Sequence, residues 1–323
     1  MTHFLIRRIF WAIFLFLVAT IITYLIFFVI PADPAALAAG KAPTPQDVAR
    51  VRHLMHLDLP IYQQYWLFLW NLIRHGSLGH SFVNRQSVRY LVGEDAPVTA
   101  SLVFGGAVFW LSLSIPVGIL SALRPRSLLD RIAMLFVLVG ISAHPVWIGL
   151  ILSYVFGYKL GITPIAGYCN FFPGTPGAQC SGPIQWAYHL ILPWITFMVL
   201  FAALYVRLIR ANVMETMSED YVRTARAKGA GERRVMVQHV LRNSMLPVVT
   251  ILGMDIGLAL GGAIFTETVF NLPGLGNNLV SAANADDLPL VVGIVVFATL
   301  AVIVFNFLVD VAYAFLDPRI RLS

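Results

Sequence analysis

Residues 218–234 read SEDYVRTARAKGAGERR, and this charged stretch lies between two strongly hydrophobic segments of the chain. Ser218 is a favourable N-cap residue, acidic side chains follow it, and basic side chains end the run, in the order that a helix dipole favours. Gly229 can adopt the left-handed conformation that ends a helix. The stretch therefore predicts a short capped helix, a break at 229–231, and a second basic helix at Glu232–Asn243.

Three small side chains lie in the first of these helices. Thr224, Ala225 and Ala227 would let the groove of a partner come close to the helix backbone. The alternative is an ordinary solvated connection between two spans, since most charged loops are of that kind. The capping signals, the small residues and the direct link to a hydrophobic span favour a docking helix, although they do not name its partner.

The composition sets the class of protein. The chain has 323 residues, of which 59% are hydrophobic and 12% are charged, whereas a soluble domain carries about 25% charged residues. An integral membrane protein is therefore predicted. The net charge of +6 does not indicate nucleic acid binding, because the basic residues lie beside the hydrophobic segments, where they set topology.

Six hydrophobic segments reach about 20 residues, the length that a membrane-spanning helix needs. The first follows Arg7-Arg8 and is too long for the hydrophobic region of a cleaved signal peptide, so we expect it to remain as an anchor. The predicted spans are Ile9–Ile30, Val98–Leu123, Ile132–Phe156, Leu190–Ile209, Leu246–Phe265 and Leu290–Phe315.

The basic residues predict the orientation of these spans. They precede the first span, separate the second from the third, separate the fourth from the fifth, and follow the sixth. With six spans, these four regions fall on one side of the membrane, which should be the cytoplasm. Both chain termini and residues 218–234 are then cytoplasmic.

The longest region outside the predicted spans follows the first of them. It contains a polar helix candidate at Pro45–Leu57 and then an aromatic stretch at Ile61–Trp70. Aromatic side chains favour the membrane–water interface, so we predict an amphipathic helix on the outer surface, too short for a seventh span. The residues expected to share its apolar face are Tyr62, Tyr65, Trp66, Leu69 and Ile73.

Two cysteines, Cys169 and Cys180, fall in the Gly- and Pro-rich loop between the third and fourth spans. If the loop faces an oxidising compartment, a disulfide there would restrain it. Two free thiols are the alternative. No cluster of metal-ligating residues lies near them in the sequence, so no metal site is expected.

The fifth span carries small and charged residues on different faces. Gly253, Gly257 and Gly261 recur at a spacing of four, and such a stripe lets helices approach closely. It predicts either a tight contact within this chain or a seam against a second subunit. Asp255 is costly near mid-membrane, so it either lines a transport pathway and contacts a cationic group or forms a buried pair with a polar neighbour.

Three further polar residues lie in or near the last two spans. Glu267 is placed towards the outer end of the fifth span. Asn306 and Asp310 share one face of the last span and should point at protein, where packing is the expected role.

Two histidines each precede a proline in a predicted span, one directly and one by four residues. His144 precedes Pro145, which should kink the third span, and His189 lies shortly before Pro193 in the fourth. Neither has ligand partners at metal-binding spacing or belongs to a nucleophile–base pair, so we predict structural roles and no catalytic residue.

The stretch Tyr221–Gly229, together with His239–Pro247, closely resembles the coupling loop of ATP-binding-cassette (ABC) importer permeases, in their dipeptide, oligopeptide and nickel branch. Further motifs of that branch follow in the right order, and the resemblance covers nearly the whole chain. They are Leu57–Pro60, Gly76–Gly79, His189–Pro193, Glu267–Gly276 and Asp317–Arg321.

The resemblance implies an all-α polytopic membrane protein with six transmembrane helices and the type I ABC importer permease fold. It implies an N-terminal transmembrane anchor at 1–30, an extracytoplasmic helical segment at 31–95, a permease domain at 96–316 and a cytoplasmic tail at 317–323. The coupling loop would be 210–245. The residues that would contact an ATPase are Glu219, Asp220, Tyr221, Arg223, Thr224, Ala225, Arg226, Lys228 and Gly229. By the same resemblance, Glu267 belongs to the outer gate region, with a capping or pairing role as the alternative. Asp255 is a pathway candidate by its position alone, because permeases of this branch often carry a neutral polar residue there.

The implied partners are a second, homologous permease, two cytoplasmic ATPases and an extracytoplasmic substrate-binding protein, assembled in a bacterial inner membrane. ATP and Mg²⁺ would be bound by the ATPases, because this chain has no Gly-x-x-x-x-Gly-Lys-Ser/Thr loop. The chain is then a transporter subunit without a cofactor and not an enzyme.

The implied function is to form half of the transmembrane pathway of an ATP-driven importer for dipeptides or oligopeptides. Nickel, glutathione or another small solute is an alternative cargo. An ion-coupled secondary carrier is the alternative class, although it would need charges on several spans, and a membrane-embedded enzyme or scaffold is a third.

Overall fold

The structure, a computed structural model, describes residues 2–26, 34–39, 44–54, 56–173, 180–260 and 263–316. Within these ranges the secondary structure is helical, apart from two isolated bridges, His80–Ser87 and Asn170–Ser181. The helices are α1 (Thr2–Tyr24), α2 (Pro34–Ala39), α3 (Pro45–Leu54), α4 (Ile61–His75), α5 (Val88–Leu123), α6 (Leu128–Ser142), α7 (Pro145–Leu152), α8 (Pro183–Ser218), α9 (Asp220–Ala227), α10 (Glu232–Arg234), α11 (Arg242–Ser244), α12 (Leu246–Leu260), α13 (Ile264–Val269), α14 (Leu275–Asn284) and α15 (Leu288–Leu316). A π-helical segment, Ser153–Lys159, extends α7, and a second, Val235–Leu241, joins α10 to α11.

Four helices of the described ranges are long and apolar enough to cross a membrane. The number is six if each of two bent helix pairs is one span: α6 with the helix Pro145–Lys159, and the helix Glu232–Ser244 with α12. These pairs bend by 106° and 42°. The four long candidates are Ile6–Tyr24, Val88–Leu123, Pro183–Ser218 and Leu288–Val309.

The third predicted span is broken rather than kinked. Proline disfavours a helical conformation in the residue before it, and its own ring suits the first position of a new helix. His144 is accordingly extended, with φ −82° and ψ 137°, and Pro145 begins α7. The kink predicted at Pro145 is therefore a full break, and this region is one span only if α6 and the helix Pro145–Lys159 are counted together.

Other helix ends also differ from the hydrophobic segments. α5 begins at Val88 and not at Val98, and α8 extends beyond Leu190–Ile209 at both ends. The predicted fifth span, Leu246–Phe265, covers α12 and the first residues of α13, while residues 261–262 lie outside the described ranges. A hydrophobic segment marks only the part of a helix that suits lipid. The helix itself can continue into polar surroundings, because its backbone hydrogen bonds do not depend on apolar side chains.

Two compact units make up the chain, and the first comprises residues 1–99, 257–264 and 273–307. Its buried apolar cluster joins the start of α5 to α14 and to the start of α15. The members are Val88, Val92, Leu275, Ala282, Leu290, Val291 and Ile294.

A buried carboxylate fixes the loop before α5 within this unit. Asp287 is 1% exposed and lies just before α15. It accepts hydrogen bonds from the Ser81 hydroxyl, from the Phe82 N–H at 3.0 Å and from the Val83 N–H at 3.4 Å. Loop 81–83 is thereby tied to the beginning of the last long helix.

The aromatic helix α4 packs against α1 in the same unit. The Tyr24 hydroxyl donates to Gln64 Oε1 at 3.0 Å, and the Thr20 and Tyr65 hydroxyls lie 3.0 Å apart. Of the predicted apolar face, Leu69 is buried and Tyr65 is half-buried. The other members, Tyr62, Trp66 and Ile73, are exposed, so the described chain covers one edge of the predicted face and leaves the rest of it uncovered.

The second unit comprises residues 100–256, 265–272 and 308–323. In it α8 is the central helix, because α6 and α7 both pack against it. Trp110 of α5 is fully buried and stacks on Phe201 of α8, with ring centroids 4.6 Å apart. Trp194 of α8 donates its indole N–H to the Ser101 carbonyl at 3.1 Å.

The glycine stripe of α12 faces α15 of the same chain. A Cβ on Gly253 would overlap Val309 Cγ2, and a Cβ on Gly257 would lie 3.1 Å from Val302 Cα. Gly261 lies outside the described residues. Of the polar residues on α15, Asn306 is half-buried, and the side chain of Asp310 lies outside the described part of the structure.

The close approach at Gly253 generates a stability prediction. Gly253→Ala should destabilise the chain by about 1–3 kcal/mol, because an added methyl overpacks a stiff valine. Gly93→Ala is the matched control: Gly93 is exposed on α5, nothing lies within 4 Å of its added Cβ, and alanine suits a helix better by about 0.5–1 kcal/mol. Thermal unfolding of both variants in one detergent checks this, and an unchanged midpoint for Gly253→Ala would contradict it.

Candidate functional site

The charged segment, residues 218–234, continues directly from α8. That helix has 36 residues, which corresponds to about 54 Å. It ends at Ser218, whose hydroxyl donates to the Glu215 carbonyl at 2.7 Å. Glu219 is then extended and precedes α9 without a side-chain capping bond. The prediction that Ser218 caps α9 was therefore wrong, because this serine closes the preceding helix.

The predicted end of α9 is confirmed. Gly229 has φ +79°, in the left-handed region. Its N–H donates to the Arg226 carbonyl at 2.9 Å, and the Ala230 N–H donates to the Ala225 carbonyl at 3.2 Å. These two bonds form a Schellman motif, which satisfies carbonyls that the helix end would leave without partners.

Side chains brace α9 against the helix that follows. Arg226 pairs with Glu232 through two hydrogen bonds, of 2.9 and 3.3 Å, which bridge the glycine break. Asn243 donates to the Tyr221 hydroxyl at 2.8 Å. Val222 is fully buried, and α9 packs against the π-helical segment Val235–Leu241. The charged segment is thus a braced helical hairpin and not a loose loop.

The opposite side of α9 is open. Arg223, Thr224 and Lys228 are exposed, whereas Ala225 and Arg226 are half-buried. The remaining predicted contact residues are exposed as well: Glu219, Asp220, Tyr221 and Gly229. The Asp220–Arg223 pair is solvated, with atoms 3.7 Å apart and a 97% exposed Asp220 side chain, so it holds little in place.

A buried ion pair anchors α8 two turns before the charged segment begins. Asp130 of α6 accepts from Arg210 Nε at 2.7 Å and from Nη2 at 3.1 Å. It also accepts from the Ser121 hydroxyl and, at 2.8 Å, from the Arg126 N–H. The Asp130 side chain is only 6% exposed and that of Arg210 is 24% exposed. Paired carboxylate and guanidinium groups of this geometry give both strength and a fixed orientation.

Several of these residues were missed by sequence reasoning. Asp130 and Arg210 are 80 residues apart, and no local pattern links them. The burial of Val222 could have been predicted, because it is an apolar residue within a charged helix. Glu232 and Asn243 had no comparable signal, since their partners depend on how the chain turns at the glycines.

The intramembrane carboxylate Asp255 has a partner. Tyr205 of α8 is fully buried, and its hydroxyl donates to Asp255 Oδ2 at 2.8 Å. Asp255 itself is half-buried. Glu267 of α13 is fully buried. Both carboxylates therefore face protein.

The cysteines meet a histidine that the sequence did not place beside them. The structure joins Cys169 and Cys180 in a disulfide, with Cα atoms 5.1 Å apart. His189 Nδ1 lies 3.2 Å from Cys169 Sγ. The sequence did not predict this proximity, because α8 brings His189, 20 positions along the chain, against Cys169.

The fold is that of an all-α polytopic membrane protein. It consists of long apolar helices and bent helix pairs, with a braced charged hairpin that follows α8. Its amino-acid sequence matches the family described as "Binding-protein-dependent transport system inner membrane component" over residues 114–322. The corresponding N-terminal family matches residues 1–103. The chain belongs to this family of ABC importer permeases.

Full-length relatives agree with the family. The chain is 36% identical over 322 residues to a Brucella abortus (strain 2308) protein named "Putative peptide transport system permease protein", with 99% of each chain covered. It is 36% identical over 326 residues to a "Putative peptide permease protein" of Brucella suis biovar 1 (strain 1330), with both chains fully covered. It is 34% identical over 337 residues to the dipeptide transport system permease protein of Escherichia coli (strain K12), with 99% of each covered.

Family membership confirms the predicted fold class, the type I ABC importer permease fold. It also confirms the resemblance to the dipeptide and oligopeptide permeases. The alternatives of an ion-coupled carrier and of a membrane-embedded enzyme or scaffold are not supported.

The Asp130–Arg210 pair generates a second stability prediction. Asp130→Asn keeps the side-chain shape but removes the counter-ion of Arg210, and breaking a buried pair costs about 3–5 kcal/mol. We expect the lower end, because Arg210 is 24% exposed. Asp220→Asn breaks only a solvated pair and should cost less than about 1 kcal/mol.

The measurement is thermal unfolding in one detergent. Arg210→Gln added to Asp130→Asn should recover part of the loss, which a double-mutant cycle would show as a coupling energy. Equal unfolding midpoints for Asp130→Asn and Asp220→Asn would contradict the anchoring role.

Proposed function

We propose that this permease forms half of the transmembrane pathway of an ATP-driven importer, and that the exposed side of α9 docks into a cytoplasmic ATPase. One observation carries the proposal: α9 is braced on its buried side and open on the side that holds Arg223, Thr224 and Lys228. A helix that transmits force must be held firmly by its own chain and still be accessible to its partner. The Schellman motif and the Tyr221–Asn243 bond support the first condition.

The rest of the complex follows from the family. A second homologous permease would complete the pathway, two ATPases would bind ATP and Mg²⁺, and an extracytoplasmic binding protein would deliver the cargo. We place the complex in a bacterial inner membrane with both termini of this chain in the cytoplasm. The basic residues of the charged segment support that orientation, because Lys and Arg concentrate on the cytoplasmic side of spans.

Dipeptides or short oligopeptides are the cargo that we infer. The support is that full-length relatives in Brucella and Escherichia coli carry the names of peptide and dipeptide permeases. Competition for uptake by a reconstituted complex, with dipeptides, longer peptides, glutathione and Ni²⁺ as competitors, separates this cargo from the alternatives. Inhibition by Ni²⁺ or glutathione alone would overturn the peptide assignment without affecting the importer class.

The role of Asp255 follows from its hydrogen bond. We infer that its main role is to pair with Tyr205, and not to contact the cargo, because the bond satisfies a carboxylate that would otherwise be costly in the membrane. The buried position of Glu267 likewise supports a structural role. A pathway role of Asp255 is the alternative that the next prediction tests.

Asp255→Asn should leave peptide uptake within about twofold of wild type, because an amide oxygen can accept the same bond from Tyr205. Uptake of free and N-acetylated dipeptides, measured side by side, checks this. Selective loss of the peptides with a free amino group would instead show that Asp255 contacts the cationic terminus in the pathway.

A bulky side chain at an exposed position of α9 tests its docking role. Thr224→Trp should lower ATP-driven uptake at least tenfold, because a large ring would keep α9 out of the partner's groove. Ser218→Trp is the matched control, since Ser218 is also small, hydroxylated and exposed but lies before α9; it should stay within twofold. Uptake and ATP hydrolysis are measured on the same reconstituted complex, and full uptake by Thr224→Trp would refute docking through this surface.

A further inference from the structure

An apolar groove in the second unit lies between α5, the start of α6 and α8, with Leu113, Leu129 and Phe136 among its lining residues. Its volume is about 510 Å³, within the range of about 300–1,000 Å³ that ligand sites have. We propose that the groove holds one acyl chain of an anionic phospholipid, whose phosphate binds the arginines beside it. The proposal goes beyond the transport function and depends neither on the cargo nor on the docking of α9.

The floor of the groove is part of the protein core, whereas its edge is exposed. Ala133 of α6 and Val206 of α8 line the groove and belong to one buried apolar cluster, so the packing of α6 against α8 fixes the floor. At the edge, Leu128 and Ile132 are 73% and 59% exposed. Such a groove suits a hydrocarbon chain. Since lipid tails are as apolar as leucine, preference for one lipid over another has to come from its head group.

The groove has the depth of one leaflet of a bilayer. On α6 it extends from Leu128 to Phe136, eight residues or about 12 Å along the axis. On α5 its residues Leu113 and Val117 lie ten and six residues before the helix ends at Leu123, which corresponds to about 15 and 9 Å. Half of a hydrocarbon core of about 30 Å is about 15 Å. An acyl chain that enters beside the turn between α5 and α6 therefore runs along the groove within its own leaflet.

That turn carries an excess of positive charge. Arg124, Arg126 and Arg131 are exposed, and none of their guanidinium groups pairs with a carboxylate of the described residues. The one acidic residue of the turn, Asp130, is already bound by Arg210. In the orientation proposed above, the turn faces the cytoplasm. Basic pockets between transmembrane helices on this side of a membrane bind anionic head groups, and a guanidinium group can hold a phosphate through two hydrogen bonds.

Arg131 connects the charge to the groove. It lies on α6 three residues after Leu128 and directly before Ile132, so it shares a side of the helix with the exposed edge. Helical side chains lean towards the N-terminus of their helix. The side chain of Arg131 therefore leans back towards the start of α6, where the head groups lie.

Charge also decides between a lipid and a protein helix as the occupant. A helix of a second permease could fill the apolar groove, but it would have to supply acidic side chains for the arginines at the turn. An anionic phospholipid brings the hydrocarbon chain and the negative charge in one molecule. We therefore choose the phospholipid, and the experiments below separate the two.

The first test measures lipid binding to the full chain, purified in detergent, by native mass spectrometry. The probes are phosphatidylglycerol and phosphatidylcholine with the same acyl chains. We expect one tightly held phosphatidylglycerol per chain, with at least fivefold preference over phosphatidylcholine. Arg131→Gln should lower the affinity for phosphatidylglycerol at least fivefold, because it removes a phosphate ligand. Arg233→Gln, which removes an exposed arginine of α10 that does not line the groove, should change it less than twofold.

Filling the groove tests the site of the acyl chain. Leu129→Trp should lower the binding of both lipids at least fivefold, because the indole would occupy the groove. Leu138→Trp is the matched control, since Leu138 is an exposed leucine of α6 outside the groove lining. Binding by Leu129→Trp at the level of wild type would contradict the site.

A photocrosslinking amino acid, p-benzoylphenylalanine, in place of Ile132 identifies the occupant in native membranes that contain the assembled importer. We expect the cross-linked chain to gain the mass of one phospholipid. A cross-link to another protein subunit would overturn the proposal. So would equal binding of phosphatidylglycerol and phosphatidylcholine by the wild-type chain, a result that does not depend on the folding of any variant.

Discussion

A span in lipid must satisfy its own backbone hydrogen bonds, because the bilayer core supplies no water. This constraint explains why the apolar stretches of this chain are helical and why an interruption needs its own cap. At the break between α6 and α7, His144 Nδ1 accepts the N–H of Val146 at 3.3 Å, and Pro145 has no N–H to satisfy. The chain therefore turns sharply at a point where few polar groups are left without partners.

Charged groups obey a similar constraint, because a buried charge also needs partners. Where a charge is buried it is held by several donors, as Asp130 is by Arg210, Ser121 and a backbone N–H. Where a charge is exposed, as for Asp220 and Arg223, its pairing is loose. Strong electrostatic contacts therefore hold the end of α8 that leads into α9, whereas the exposed surface of α9 stays accessible to a partner.

Local patterns in the sequence were sufficient for the elements that depend on neighbouring residues. The end of α9 at Gly229, the second basic helix and the hydrophobic character of the spans are of this kind. Helix ends were poorly predicted, because helices such as α8 continue past the apolar residues that marked them. Ser218 was misread for the same reason, since a serine between two helices suits the end of one as well as the start of the next.

Contacts between distant parts of the chain were beyond the reach of local patterns. Asp287 with loop 81–83, Asp130 with Arg210, and Cys169 with His189 all depend on how helices pack. Family resemblance supplied the fold class, yet it said nothing of these pairs, because a shared fold does not fix which polar side chains meet within it.

The length of α8 has a mechanical consequence. It is one helix from Pro183 to Ser218, and Pro193 lies inside it without breaking it. The Asp130–Arg210 pair holds α8 to α6 eight residues before its end, about 12 Å along the helix axis. A displacement imposed on α9 would therefore be passed into the membrane through α6 and α8 together, and not through α8 alone.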